Sequence, residues 1–174
     1  MTEEVQTNGQ KLLEVKDLRK FFPFSRGLIK RVRGNVKAVD GVSFDVNEGE
    51  TLGLVGETGC GKTTTARCVI RAIDPTSGRI LFRTADGPVV DMVGMDRRQL
   101  RAIRREMQMV FQDPFSSLNP RMTLFDIVSE PLYNYRTGNR SEREDRVGEL
   151  LQLVGLRPEY MRRFPHAFSG GQRQ

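Results

Sequence analysis

At 174 residues, with 37% hydrophobic and 29% charged residues and no tryptophan, the chain is long enough for one domain or one domain with a small appendage. That balance excludes a wholly disordered chain, and no apolar run approaches the ~20 residues that a membrane-spanning helix needs. The net charge of +6 admits nucleic acid, an anionic membrane surface or a phosphate ligand, and charge alone does not choose among them. The first ten residues, MTEEVQTNGQ, are acidic and polar; they read as a flexible tail over 1–10 and not as a secretory signal. Cys60 and Cys68, eight apart near one predicted helix, would be separated by roughly 12 Å, too far for a disulfide. Reduced thiols and no export signal favour the cytoplasm.

In chain order, LLEVKDL (Leu12 to Leu18) reads as a strand, and FPFSRGLIKRVRGN as an exposed basic loop. VKAVDGVSFDV (Val36 to Val46) is β-branched and interrupted by Asp40-Gly41, which predicts two strands and a turn. NEGE makes another turn before TLGLV (Thr51 to Val55), a short apolar strand. A helix follows from about Lys62, with Ala66, Val69, Ile70 and Ile73 on one stripe, and DPTSG ends it. RILF is a strand and TADGPVVDMVG a loop or hairpin. Asp96 with Gln99 caps a helix that turns Leu100, Ile103 and Met107 inward. MQMVF (Met107 to Phe111) is a buried strand, and QDPFSSLNPRM a loop. Thr123 opens a helix that Pro131 kinks or ends. Ser141 with Glu144 caps another, bearing Val147, Leu150, Leu151 and Val154, and Gly155 closes it as a left-handed cap. Ser169 with Gln172 again fits a capping box, but three residues are fewer than a helix nucleus needs, so no signature helix is expected to form.

The chemistry concentrates in GETGCGKT. Gly56, Glu57, Thr58, Gly59, Cys60, Gly61, Lys62 and Thr63 fit G-x-x-x-x-G-K-[ST], with a strand before and an amphipathic helix after, continuing through Thr64. Three glycines let the backbone wrap closely and turn N–H groups onto phosphate oxygens, and the helix start adds partial positive charge. Lys62 is the expected donor to the β- and γ-phosphates, and the Thr63 hydroxyl the expected Mg²⁺ ligand. A glycine-rich turn matching by chance would lack the strand and helix around it.

FSGGQ, Phe168 to Gln172, resembles the signature motif of ATP-binding-cassette (ABC) ATPases, with Phe in place of the usual Leu. The resemblance implies that Ser169, Gly170, Gly171 and Gln172 address the γ-phosphate of ATP held by a second subunit. Gln112 in MQMVFQDP resembles the family's Q-loop glutamine, which implies a catalytic role through Mg²⁺ or the attacking water. Phe22 in LRKFFP matches by position the aromatic that stacks on adenine, with Phe21 a close rival. Longer stretches, among them VKAVDGVSFDVNEGETLGLVGETGCGKTT and RFPHAFSGGQRQ, are similar to ATP-binding subunits of oligopeptide and dipeptide importers.

The resemblance implies an α/β fold: a P-loop NTPase core with an antiparallel β-subdomain and a helical subdomain over about 113–168. Residues 11–174 would be a partial nucleotide-binding domain, incomplete at its C-terminus. It further implies ATP and Mg²⁺ as cofactors, and a second ATPase subunit in a homo- or heterodimer. Transmembrane permease subunits and, through them, an extracytoplasmic substrate-binding protein are the other implied partners. The place of action would be the cytoplasmic face of the membrane. The family's strand ending in Asp-Glu and its switch histidine do not occur in the chain; His166, the one histidine, lies before the signature. The 174 residues alone are therefore expected to be inactive, with TLGLV lacking its neighbours. A non-catalytic nucleotide-binding fragment and a non-transport ABC ATPase of DNA repair or translation are the alternatives. The arginine-rich face Arg97, Arg98, Arg101, Arg104 and Arg105 has no interleaved aromatics, so it reads as a solvated face and no nucleic acid partner is expected.

Overall fold

The computed structural model describes residues 10–25, 32–111, 113 and 117–173. Two compact units form, Met1–Met109 and Val110–Gln174. Among the described residues no helix is long and apolar enough to cross a membrane.

The first unit is built on a four-stranded antiparallel sheet in the order β2-β1-β3-β4. Its strands are β1 (Lys11–Ser25), β2 (Val32–Asn47), β3 (Ser77–Arg83) and β4 (Val89–Asp91). Helix α1 (Lys62–Val69) and helix α2 (Arg97–Ile103) complete it. Cross-strand pairs Val15↔Ile80 and Leu13↔Phe82 align apolar side chains on one face. Val15, Leu18, Val39, Cys68, Val69, Ile80, Phe82, Met92, Leu100 and Ile103 form the core.

Here the structure corrects two expectations. β1 runs on through Phe22 and Pro23, and β2 begins before Val36, so the ends of the predicted basic loop are strand; its centre, residues 26–31, lies outside the described residues. Asp40-Gly41 does not make a turn. β2 passes through it as one strand, with Gly41 at φ 79° beside a register shift between Leu18 and Arg19. That irregularity includes Asp17 at φ 46°, and a Cβ on Gly78 would lie 2.6 Å from the Asp17 carbonyl oxygen. Close backbone approach at a bulge requires glycine there.

Two apolar stretches expected to be strands also depart from expectation. Thr51–Val55 has no strand pairing among the described residues, and Val55 is 92% exposed. Met107–Phe111 is likewise unpaired there, with Val110 94% exposed. β-propensity expresses itself only against a neighbouring strand. Neither stretch has one among these residues.

The second unit is helical: α3 (Leu124–Asn134), α4 (Arg140–Leu153) and a one-turn α5 (Gly170–Arg173). Leu124, Val147, Leu151 and Phe168 form its core. Pro131 sits inside α3, which continues to Asn134. α4 starts two residues earlier than predicted, because Asn139, with Glu142 as its reciprocal partner, makes the capping box in place of Ser141 and Glu144. Asn and Ser are comparable caps, so the preceding Gly138, at φ 64°, decides by turning the chain there. Gly155 takes φ 75°, the left-handed cap the sequence predicts.

Candidate functional site

Gly56 to Cys60 form an exposed loop leading into α1. Gly61 is the N-cap residue, at φ 99°, and a Cβ there would stand 2.2 Å from the Ala38 carbonyl oxygen. Only glycine lets the loop press onto β2 at this point. The Lys62 ammonium curls back over the loop and donates to the carbonyl oxygens of Gly56 and Glu57, each at 2.6 Å, with Cys60 Sγ at 3.6 Å. Its three donors are thus gathered at the loop's mouth, on a flexible stem that can exchange carbonyl acceptors for phosphate oxygens. Thr63 is exposed at the helix start, whereas Thr65 is buried and returns its hydroxyl to the Gly61 carbonyl at 3.1 Å. Thr64 is half-buried between them.

Helix α1 opens unlike α2, α3 and α4. α2, α3 and α4 each carry a complete capping box, from Asp96, Thr123 and Asn139, that satisfies N–H groups of the first turn. α1 has no side-chain cap and no acidic residue in its first turn. Its leading N–H groups and the positive end of its dipole remain directed at whatever occupies the loop. An anion with several oxygens fits that arrangement.

Phe22 pairs with Val36 across β1 and β2 and is 39% exposed, with the Lys20 ammonium 4.9 Å from its ring centre. Phe21 is more enclosed; its N–H donates to the Thr76 hydroxyl at 2.9 Å, and Lys37 lies 5.6 Å from its ring. Phe22 therefore offers the more open aromatic face. Lys20 went unnoticed in the sequence, although its i, i+2 spacing from Phe22 on a strand was the available signal.

In the second unit, Ser169 and Gln172 form the capping box that the sequence predicts: Gln172 N–H donates to Ser169 Oγ at 3.3 Å, and Ser169 N–H to Gln172 Oε1 at 3.0 Å. Contrary to the expectation that no helix would form, Gly170–Arg173 makes one turn. Arg173 Nε donates back to the Phe168 carbonyl at 3.0 Å, and Phe168 is 5% exposed, its ring edge-on to Tyr160 at 5.7 Å. Tertiary anchoring supplies the nucleus that three residues lack. Gln112 lies outside the described residues. Among the described residues no group of three or more His, Cys, Asp or Glu could hold a metal ion; Thr63, the Mg²⁺ ligand expected from the sequence, has its side chain exposed at the start of α1.

The sequence model of the ABC transporter family matches residues 39–174. The chain is 50% identical over 168 residues to the oligopeptide transport ATP-binding protein AppF of Bacillus subtilis, covering 96% of this chain and 50% of that protein. It is 44% identical over 163 residues to the di/tripeptide transport ATP-binding protein DppF of Pseudomonas aeruginosa, covering 94% and 49%. The chain thus spans about half the length of the curated relatives it matches. Among solved structures, a dimeric ATP-binding cassette in a post-hydrolysis state bound to ADP and Pi superposes with TM-score 0.71 at 25% identity, covering 93% of this chain and 65% of that one. Fold, phosphate-loop geometry and these matches agree: the chain belongs to the ABC transporter family.

Proposed function

We propose that this protein binds MgATP at the loop Gly56–Thr64 and, as part of a full-length subunit, hydrolyses it to energise import of oligopeptides or dipeptides. The observation that carries this reading is the uncapped start of α1, with the Lys62 ammonium gathered over a glycine loop. Lys62 and the leading N–H groups bind phosphate oxygens, Thr63 contacts Mg²⁺, and Phe22 stacks on the base. Gln112 orients water or metal. Ser169, Gly170, Gly171 and Gln172 present their helix start to ATP on a second subunit, giving a homo- or heterodimer. Residues of about 113–168 serve as the helical subdomain. The subunits work at the cytoplasmic face of the membrane on permease partners, which receive peptide from an extracytoplasmic binding protein.

The peptide class rests on what the relatives are named for. ATP-driven uptake of labelled oligopeptide, by vesicles holding the full-length subunit with its permease, tests it. Uptake lost on Lys62→Ala supports the proposal; ATP turnover indifferent to peptide, with uptake of another solute, overturns the substrate class.

A further inference from the structure

Arg71 follows the C-cap residue of α1 and takes the left-handed backbone conformation, φ 55°, that glycine favours at helix ends. Its side chain compensates. It is 8% exposed, and its guanidinium donates to the carbonyl oxygens of Met92 and Val93 and to the Asp74 carboxylate at 3.0 Å. Only Nε is buried without an acceptor among the described residues. The Arg71 carbonyl in turn accepts from the Arg104 guanidinium at 2.6 Å. One residue thus ties the end of α1 to the short 3₁₀ turn Met92–Gly94 and to the turn after α2.

At the entry side of α1, residues 51–60 are exposed and Gly61 presses onto β2 at the Ala38 carbonyl. α1 is a single rigid segment about 12 Å long, with Lys62 and Thr63 at its front. Its placement rests on Gly61 against β2, on its buried residues Thr65, Cys68 and Val69, and on the clamp behind it. We infer that Arg71 is a positioning residue for nucleotide binding: it fixes the base of the phosphate-loop helix and so the height of Lys62 and Thr63 at the loop. This rests on the proposed MgATP site. A fork of planar donors meets three acceptors from two directions here, which a lysine's single ammonium does not reproduce.

Steady-state ATPase kinetics and thermal melting of the full-length protein with Arg71→Gly and Arg71→Lys test the inference. Arg71→Gly removes the clamp while relaxing the left-handed backbone. Its KM for MgATP should rise about tenfold with kcat at saturation within about twofold, and Arg71→Lys should fall between it and wild type. A folded Arg71→Gly with wild-type KM overturns the inference. So does a kcat that falls with the folded fraction at unchanged KM, which marks a merely structural role. If Arg71→Gly does not fold, Arg71→Lys decides, and an unchanged KM there overturns it. Lys62→Ala separates the two failures: intact ATP binding in that variant sinks the site itself, whereas a defective Lys62→Ala beside a normal Arg71→Gly sinks only the clamp.

Discussion

Two helix starts in this molecule carry the family's motifs, and they are built in opposite ways. α1 begins on Gly61 with no side-chain cap, leaving its N–H groups open toward the loop. α5 begins at Ser169 and closes on itself, the hydroxyl accepting from Gln172 and the Gln172 amide accepting in return. An open start holds an anion by its own geometry; a self-capped start is folded and ordered first, and must share or exchange its bonds when an anion arrives. On the proposed reading, the first would hold the phosphates of ATP and the second would be engaged late, by nucleotide on a partner subunit.

The sharpest way to break this contrast is at the open start. Lys62→Ala removes a charge-assisted donor worth about 1.5–3 kcal/mol, so equilibrium binding of labelled MgATP should weaken by about 10- to 150-fold. Unchanged affinity would mean the loop does not hold phosphate. At the self-capped start, Ser169→Arg in the full-length protein should leave monomer ATP binding nearly intact while stopping hydrolysis. Full turnover by the mutant homodimer would remove the trans role of the motif. Phe22→Ala should cost about 1–3 kcal/mol of base stacking, read as a 5- to 150-fold loss of ATP affinity. If Phe21→Ala does this and Phe22→Ala does not, the more enclosed ring is the stacking one.

Smaller effects sharpen the comparison from the capped helices. Thr123→Ala removes the hydroxyl that accepts from Asp126 N–H and should cost about 1 kcal/mol, measured by urea unfolding. The same cap sets an acid limit. The Thr123 hydroxyl, followed by the Thr123 N–H, holds the Asp126 carboxyl below its ordinary value. A lowered folded-state value contributes stability that is present above the unfolded value, near pH 4, and is lost as pH falls through the folded one. Asp126→Asn should flatten that acid limb of the stability profile; an unaltered limb would locate the sensitivity elsewhere. No such dependence is expected at the open start of α1, which has no acidic residue in its first turn.

Much of this was legible in the chain itself. G-x-x-x-x-G-K-[ST] specifies a loop and a helix start because Gly59 and Gly61 take the positive φ that glycine favours, and the Asp96–Gln99 and Ser169–Gln172 boxes are local bonds between neighbours. Apolar spacing announced α1, α2 and α4 but not their limits or faces: α1 ends at Val69, short of Ile73, and buries Thr65 and Cys68 while Ala66 is exposed, and Val154 lies exposed beyond the end of α4. Tertiary contact decided the rest. Whether TLGLV or MQMVF becomes a strand depends on a neighbour, and a local pattern carries no information about one. Whether Asp40-Gly41 turns or continues depends on the bulge opposite, at Asp17. The single turn at Gly170–Arg173 exists because Phe168 is buried against Tyr160, a partner eight residues away. Arg71 gave no signal at all, since its acceptors at Met92 and Val93 lie about twenty residues on and only the folded unit brings them to it.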